Sequence, residues 1–238
     1  MNWENFKHCF HESWHKKMQP FIESDACDEI YDFLKSESRR GKKIAPLSSD
    51  TYKAFMLTPL NELKVVMLGM CPYHTLKNGE PVADGLLMGC SKTKALQPSL
   101  EQFYNAIDRE LYDGKADKSA KNPDVSFLAN QGVLMLNAAL TTEMNKAGSH
   151  IHIWEPFTRY IFEEVLFYLG VPYIFLGKDA AKYEKHCAPF SWIFTLSHPA
   201  SAAYKNTDWE TDGVFTKVNK ILKDNNGHVI SWLDDCPF

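Results

Sequence analysis

Trp3, Phe6, Phe10 and Trp14 recur at intervals of three and four with polar residues between them, and Met18 and Phe21 continue the series. That spacing puts the apolar side chains on one face of a helix and predicts helix up to a break around Pro20. Residues 28–36 repeat the pattern, with Ile30, Phe33 and Leu34 on one side. The stretch SESRRGKK, residues 36–43, reads as a solvated turn closing an N-terminal helical section at about residues 1–40. Another short helix is expected between Pro46 and Phe55.

The pattern then changes. LKVVML (63–68) is short, almost unbroken and apolar, as a strand buried on both faces must be. GVLMLNAAL within 131–140, VPYIFL at 171–176 and WIFTL at 192–196 are three more candidates. Helical patterns at 100–111, 154–169 and 180–186 lie between them, and one at 213–223 follows. Strands alternating with helices of crossover length predict a three-layer α/β fold, its central, mostly parallel four-stranded sheet flanked by helices. No repeat, low-complexity block or linker interrupts it, so residues 1–238 are expected to form one domain.

Parallel strands bring the loops at their C-terminal ends to one edge, where open α/β folds bind ligands. Gly69, Met70, Cys71, Pro72, Tyr73 and His74 follow the first strand, Asn137 lies at the second, Gly177 at the third, and Ser197, His198 and Pro199 at the fourth. Cys71, Asn137 and His198 are therefore expected near one another.

Composition narrows the chemistry by exclusion. The chain is 45% hydrophobic and 24% charged, which suits a folded chain and not a disordered one. No apolar run approaches the roughly 18 residues that span a bilayer. The N-terminus lacks the order of a signal peptide, so an intracellular setting, cytoplasmic or nuclear, is expected, with no membrane partner. Six scattered cysteines without a CxxC pair are expected as free thiols, and His8, Cys9, His11 and His15 are too loosely spaced for a structural zinc site. The formal charge of −4 argues against a protein coated in non-specific nucleic-acid contacts, but permits a small positive face.

Five segments together resemble the uracil-DNA glycosylase superfamily, specifically its family 1. GMCPYH (69–74) matches the family's GQDPYH loop, and ADGLLM (83–88) its AHGLCF segment. LMLNAALT (134–141), followed by Ser149–His150, echoes LLLNAVLT, and HPASAA (198–203) partly keeps HPSPLS. The Trp14 segment and APLSSDTYKAF (45–55) also have family-like counterparts.

The resemblance implies base excision: a nucleotide is flipped from DNA and its N-glycosidic bond hydrolysed. Asn137 is then the base reader, because an amide offers a donor and an acceptor to a pyrimidine edge. His198 is the donor that stabilises the departing base, a task a neutral ring can perform. Tyr73 is the wall beside uracil C5, and Met70 contributes a backbone contact where the family has Gln. Gln97, Pro98 and Ser99 match the loop that compresses the DNA backbone, with His74, Lys178 and Lys205 as further DNA contacts.

Three departures stand out. Cys71 replaces the aspartate that positions water and stabilises the cationic sugar; an ordinary thiol is mostly neutral where a carboxylate is ionised. Met88 replaces the phenylalanine that stacks on the base. Ala202 falls at the leucine wedge, with Tyr204 as a substitute. The expected function is a DNA glycosylase acting on uracil or a modified pyrimidine in single- or double-stranded DNA, with divergent or reduced activity. It requires no metal or organic cofactor. The alternative is a catalytically silent module that binds DNA or a protein partner.

Overall fold

The computed structural model describes residues 1–117 and 121–234. Cys236, expected as a free thiol, lies outside the described residues. The central sheet is formed by β1 (Val65–Gly69), β2 (Val133–Asn137), β3 (Tyr173–Leu176) and β4 (Ile193–Leu196). All pair in parallel in the order β2–β1–β3–β4. Every residue of β1, β2 and β3 is buried, which is why these segments are continuous apolar runs without alternation. The edge strand β4 is largely exposed.

Helices flank the sheet. Helix Asp25–Arg39 packs on helix Ile151–Tyr160. Helix Pro98–Leu111 packs on Pro199–Lys205 and on Val214–Asn226. The register aligns Gly69 with Asn137 and Leu176 with Leu196, so all four strands end at one level. Two small antiparallel ribbons, Ile44–Ala45 with Thr142–Glu143 and Leu76–Lys77 with Glu80–Pro81, were not foreseen.

The N-terminal section buries Trp3, Phe10, Trp14, Met18 and Phe21 as the spacing predicts, but not on one helix. It is cut into Trp3–Phe6, two 3-10 turns (Lys7–Cys9 and Glu12–Trp14) and helix His15–Ile22, because Phe10 and His11 are extended. Pro20 does not break that last helix. It lies two residues from the end, and the carbonyl it leaves without a donor belongs to exposed Lys16, which water can serve.

The predicted turn at 36–43 begins only at Arg40. Helix Asp25–Arg39 continues through Glu37, whose carboxylate is buried and paired with Arg40 and Lys42. The helix expected at 154–169 begins at Ile151 and widens into a π-helical segment at Ile161–Leu166. The pattern at 180–186 is two short pieces, Lys178–Ala181 and Glu184–His186.

Candidate active site

A cavity of about 700 Å³ opens at the C-terminal ends of the strands. The loop after β1 supplies Met70, Cys71, Pro72, Tyr73 and His74 to its lining. The β3 end supplies Gly177, Lys178 and Asp179, and the β4 end Ser197 and His198. Leu87, Met88 and Ser99 complete the wall near Tyr73.

Cys71 accepts a hydrogen bond from the Gly148 N–H at 3.2 Å. Burial nevertheless pushes its thiol pKa up; the Gly148 contact opposes that shift and the negative charge of Asp179 reinforces it. The group is therefore a neutral thiol at neutral pH, and no thiolate is available to attack or to balance a positive sugar. The Tyr73 hydroxyl is 2.6 Å from Ser99 Oγ, at the start of helix Pro98–Leu111, which fixes the phenol ring against the wall. Burial raises the phenol pKa. The Met70 carbonyl accepts from the Ala139 N–H at 3.0 Å and the His74 carbonyl from the Asn145 N–H at 2.8 Å. His74 Nδ1 is buried without a partner among the described residues.

His198 caps helix Pro199–Lys205. Its Nδ1 accepts the Ala200 N–H at 3.1 Å, and burial lowers its pKa. A neutral ring whose Nδ1 accepts must carry its proton on Nε2, so this histidine is a fixed N–H donor. Gly177 makes room for it: a Cβ there would stand 3.2 Å from His198 Cβ, at a φ of +88° that side chains rarely adopt.

Asn137 is 3% exposed, and its Oδ1 has no partner among the described residues. It is not among the residues lining the cavity; Leu87 is. Both crowd Gly69, where a Cβ would meet Leu87 Cδ1 at 2.3 Å and Asn137 Oδ1 at 3.2 Å. The Leu87 N–H is bonded to the Met135 carbonyl at 2.9 Å, so the segment is fastened to β2.

Met88 is 5% exposed with φ +59°, a left-handed conformation uncommon for methionine. Asp84, fully buried, holds this loop: it accepts from the Leu86 N–H at 3.2 Å, the Ser91 N–H at 3.1 Å and the Ser91 hydroxyl, with Lys53 Nζ at 3.3 Å.

Toward the DNA-facing side the placements diverge. Ser99 and Lys178 reach the cavity, whereas Gln97 and Pro98 do not line it; the Gln97 amide is turned onto the Ala95 carbonyl. The segment matched to the family's wedge, HPASAA, is helical from Pro199 onward, with His198 as its cap. Proline at its first position and alanines after it are helix signals overlooked beside the family pattern. In that helix Ala202 is buried at 6% exposure, Tyr204 stands out at 94% and Lys205 is exposed. Sequence reasoning also passed over Leu87, Asp84 and Asp179; only the cysteine-to-leucine change within AHGLCF could have flagged the first.

The sheet order sets a neutral histidine at the mouth of a strand-end cavity, the usual place for a ligand site in an open α/β fold. Residues 55–223 match the sequence pattern of the Uracil DNA glycosylase superfamily. Uracil-DNA glycosylase of an Acinetobacter baumannii strain is 32% identical over 229 residues, covering 93% of this chain and 91% of that protein. The Pseudomonas aeruginosa enzyme of that name is 31% identical, with 92% and 93% covered. The crystal structure of mimivirus uracil-DNA glycosylase superposes with a TM-score of 0.84 at 23% identity, covering 98% of this chain and 89% of that one. This chain belongs to the uracil-DNA glycosylase superfamily. Among the described residues, no helix is long and apolar enough to cross a membrane.

Proposed function

We propose that this protein binds DNA, flips out a uracil or modified pyrimidine and hydrolyses its base–sugar bond, more slowly than relatives carrying a carboxylate at the Cys71 position. The observation that carries the reading is His198, a neutral N–H donor locked by the Ala200 contact at the edge of the strand-end cavity. A base leaving as an anion needs such a donor, and one oriented before reaction costs no reorganisation.

In this reading Asn137 pairs with the base edge, and its unpartnered Oδ1 is the acceptor for an imide N–H. Tyr73 closes the slot beside C5, excluding a methyl group by overlap. Met70 contributes its backbone and Met88 gives dispersion without an aromatic platform. Water is the nucleophile, with Cys71 a weak orienter. Ser99 and Gln97 at a helix start, with Lys178, Lys205 and His74, hold the DNA backbone; Pro98 shapes that turn. Exposed Tyr204 replaces buried Ala202 as the group that meets the duplex.

Two features support slow excision: a neutral thiol where charge is wanted, and a cavity lined by Leu87 where Asn137, the base reader, is not part of the lining. The same features support the second reading, a silent DNA- or protein-binding module. Single-turnover assays on DNA containing uracil or other modified pyrimidines, with DNA affinity measured separately, decide between them. Base release at rates below those of carboxylate-bearing relatives is expected. Binding without any release selects the module, and rates equal to those relatives overturn the claim of reduced activity.

A further inference from the structure

The loop after β1 offers no negative charge, yet the cavity is not without one. Among the described residues that line it, Asp179 is the one carboxylate. It follows Gly177 at the end of β3, the strand lying between β1, whose loop carries Cys71, and β4, which ends beside His198. Gly177 itself abuts His198. The carboxylate thus belongs to the stretch between the thiol and the leaving-group donor. Its field reaches the thiol, whose pKa it helps to raise. Asp179 Oδ1 is 2.5 Å from Lys182 Nζ, while no bond to Oδ2 is found among the described residues. The side chain is 36% exposed, so water can reach that second oxygen.

We propose that Asp179 is a catalytic residue, its carboxylate replacing, from the β3 wall, the charge that Cys71 does not supply. This rests on the glycosylase reading above. As the bond between C1′ and the base nitrogen breaks, its electron pair leaves with the base, whose anion is held by the His198 Nε2–H. Positive charge grows on the sugar, and an ionised group positioned toward it lowers its energy. The water oxygen forms the new bond to C1′ and passes its proton to Asp179, which releases it to solvent. The departed base takes a proton from solvent. The products are a free base and an abasic sugar, with no net change in the protein.

Single-turnover release and DNA affinity are measured for the wild type, Asp179→Asn, Lys182→Gln, and Asp179→Asn combined with Cys71→Asp. Asp179→Asn should lower release roughly a hundredfold, the scale of losing one well-placed electrostatic group. It should leave DNA binding equal or tighter, because one anion fewer faces the phosphates. A structural role alone would not give that split. Lys182→Gln breaks the same ion pair while keeping the carboxylate, and should cost less than about tenfold. The double variant should recover release, since charge returns to the β1 loop. Retention of release in Asp179→Asn within about threefold, with the wild type active, overturns this assignment alone. A wild type that binds DNA and releases no base overturns the glycosylase reading and this inference with it.

Discussion

The two walls of the cavity are built on the same sheet and differ in kind. The ends of β2 and β4 carry Asn137, buried outside the lining, and His198, part of it, polar groups with capacity left open: an Oδ1 without a partner among the described residues on one and an Nε2 proton on the other. The loop after β1 and the segment behind Tyr73 present Met70, Cys71, Leu87 and Met88, soft or neutral throughout. In the proposed reading the first side receives the leaving base. The second faces the sugar, and it presents a neutral thiol and methionine side chains there. Reading a base and stabilising a sugar are separable tasks, so each side can be tested by itself.

The sharpest way to break this contrast is His198→Ala. If the receiving wall is intact, base release should fall roughly a hundred- to a thousandfold, as on losing an oxyanion donor. DNA affinity, checked by fluorescence anisotropy, should change little. An unchanged rate would mean that both walls have lapsed.

A second test concerns whether the departures are vacancies or refits. The family pattern suggests that Ala202→Leu would restore a wedge. Buried against the packed helices, however, the position has no room, and the larger side chain should destabilise the fold by about 1–3 kcal/mol. Urea unfolding measures this directly. Gain of base extrusion without loss of stability would show that the helix can turn Ala202 outward.

The smallest effect should come from acid. Burial holds both His198 and His150 below the ordinary histidine value of 6.5, so the unfolded chain takes up protons before the folded one. Stability is therefore full above about pH 6.5 and declines as pH falls toward the depressed folded values. Urea midpoints at about pH 7.5 and about pH 5.5 should differ in that sense, and less so in His150→Gln than in the wild type. No acid loss would mean that neither ring needs to stay neutral.

How much was legible depended on the kind of signal. The strands were placed to within a few residues because burial on both faces leaves an unmistakable apolar run, and their parallel pairing followed from crossover-length helices, whereas their order in the sheet had no signal of its own. Helix limits were less visible. Glu37 carried the Asp25–Arg39 helix past a stretch that reads as solvent-loving, because two cations accompany it into the surface. The motif matches fell on residues that line the cavity, such as Cys71, Tyr73 and His198, and on others that do not, such as Asn137 and Gln97. Ala202 and Tyr204, the two candidates for the wedge, sit two apart, and a helix sent one inward and the other out. Asp179 belonged to no pattern; only the fold brings it to the cavity.

Gly69 places an order on how this pocket can change through descent. Its missing side chain is filled by Leu87 and flanked by Asn137. A larger residue at 69 would drive Leu87 outward and press on the carboxamide, so it becomes tolerable only after 87 has shrunk. A smaller residue at 87 has no such prerequisite, but it leaves a hollow against the sheet that position 69 is then free to fill. The two sites form a ratchet with one passable direction, entered at Leu87.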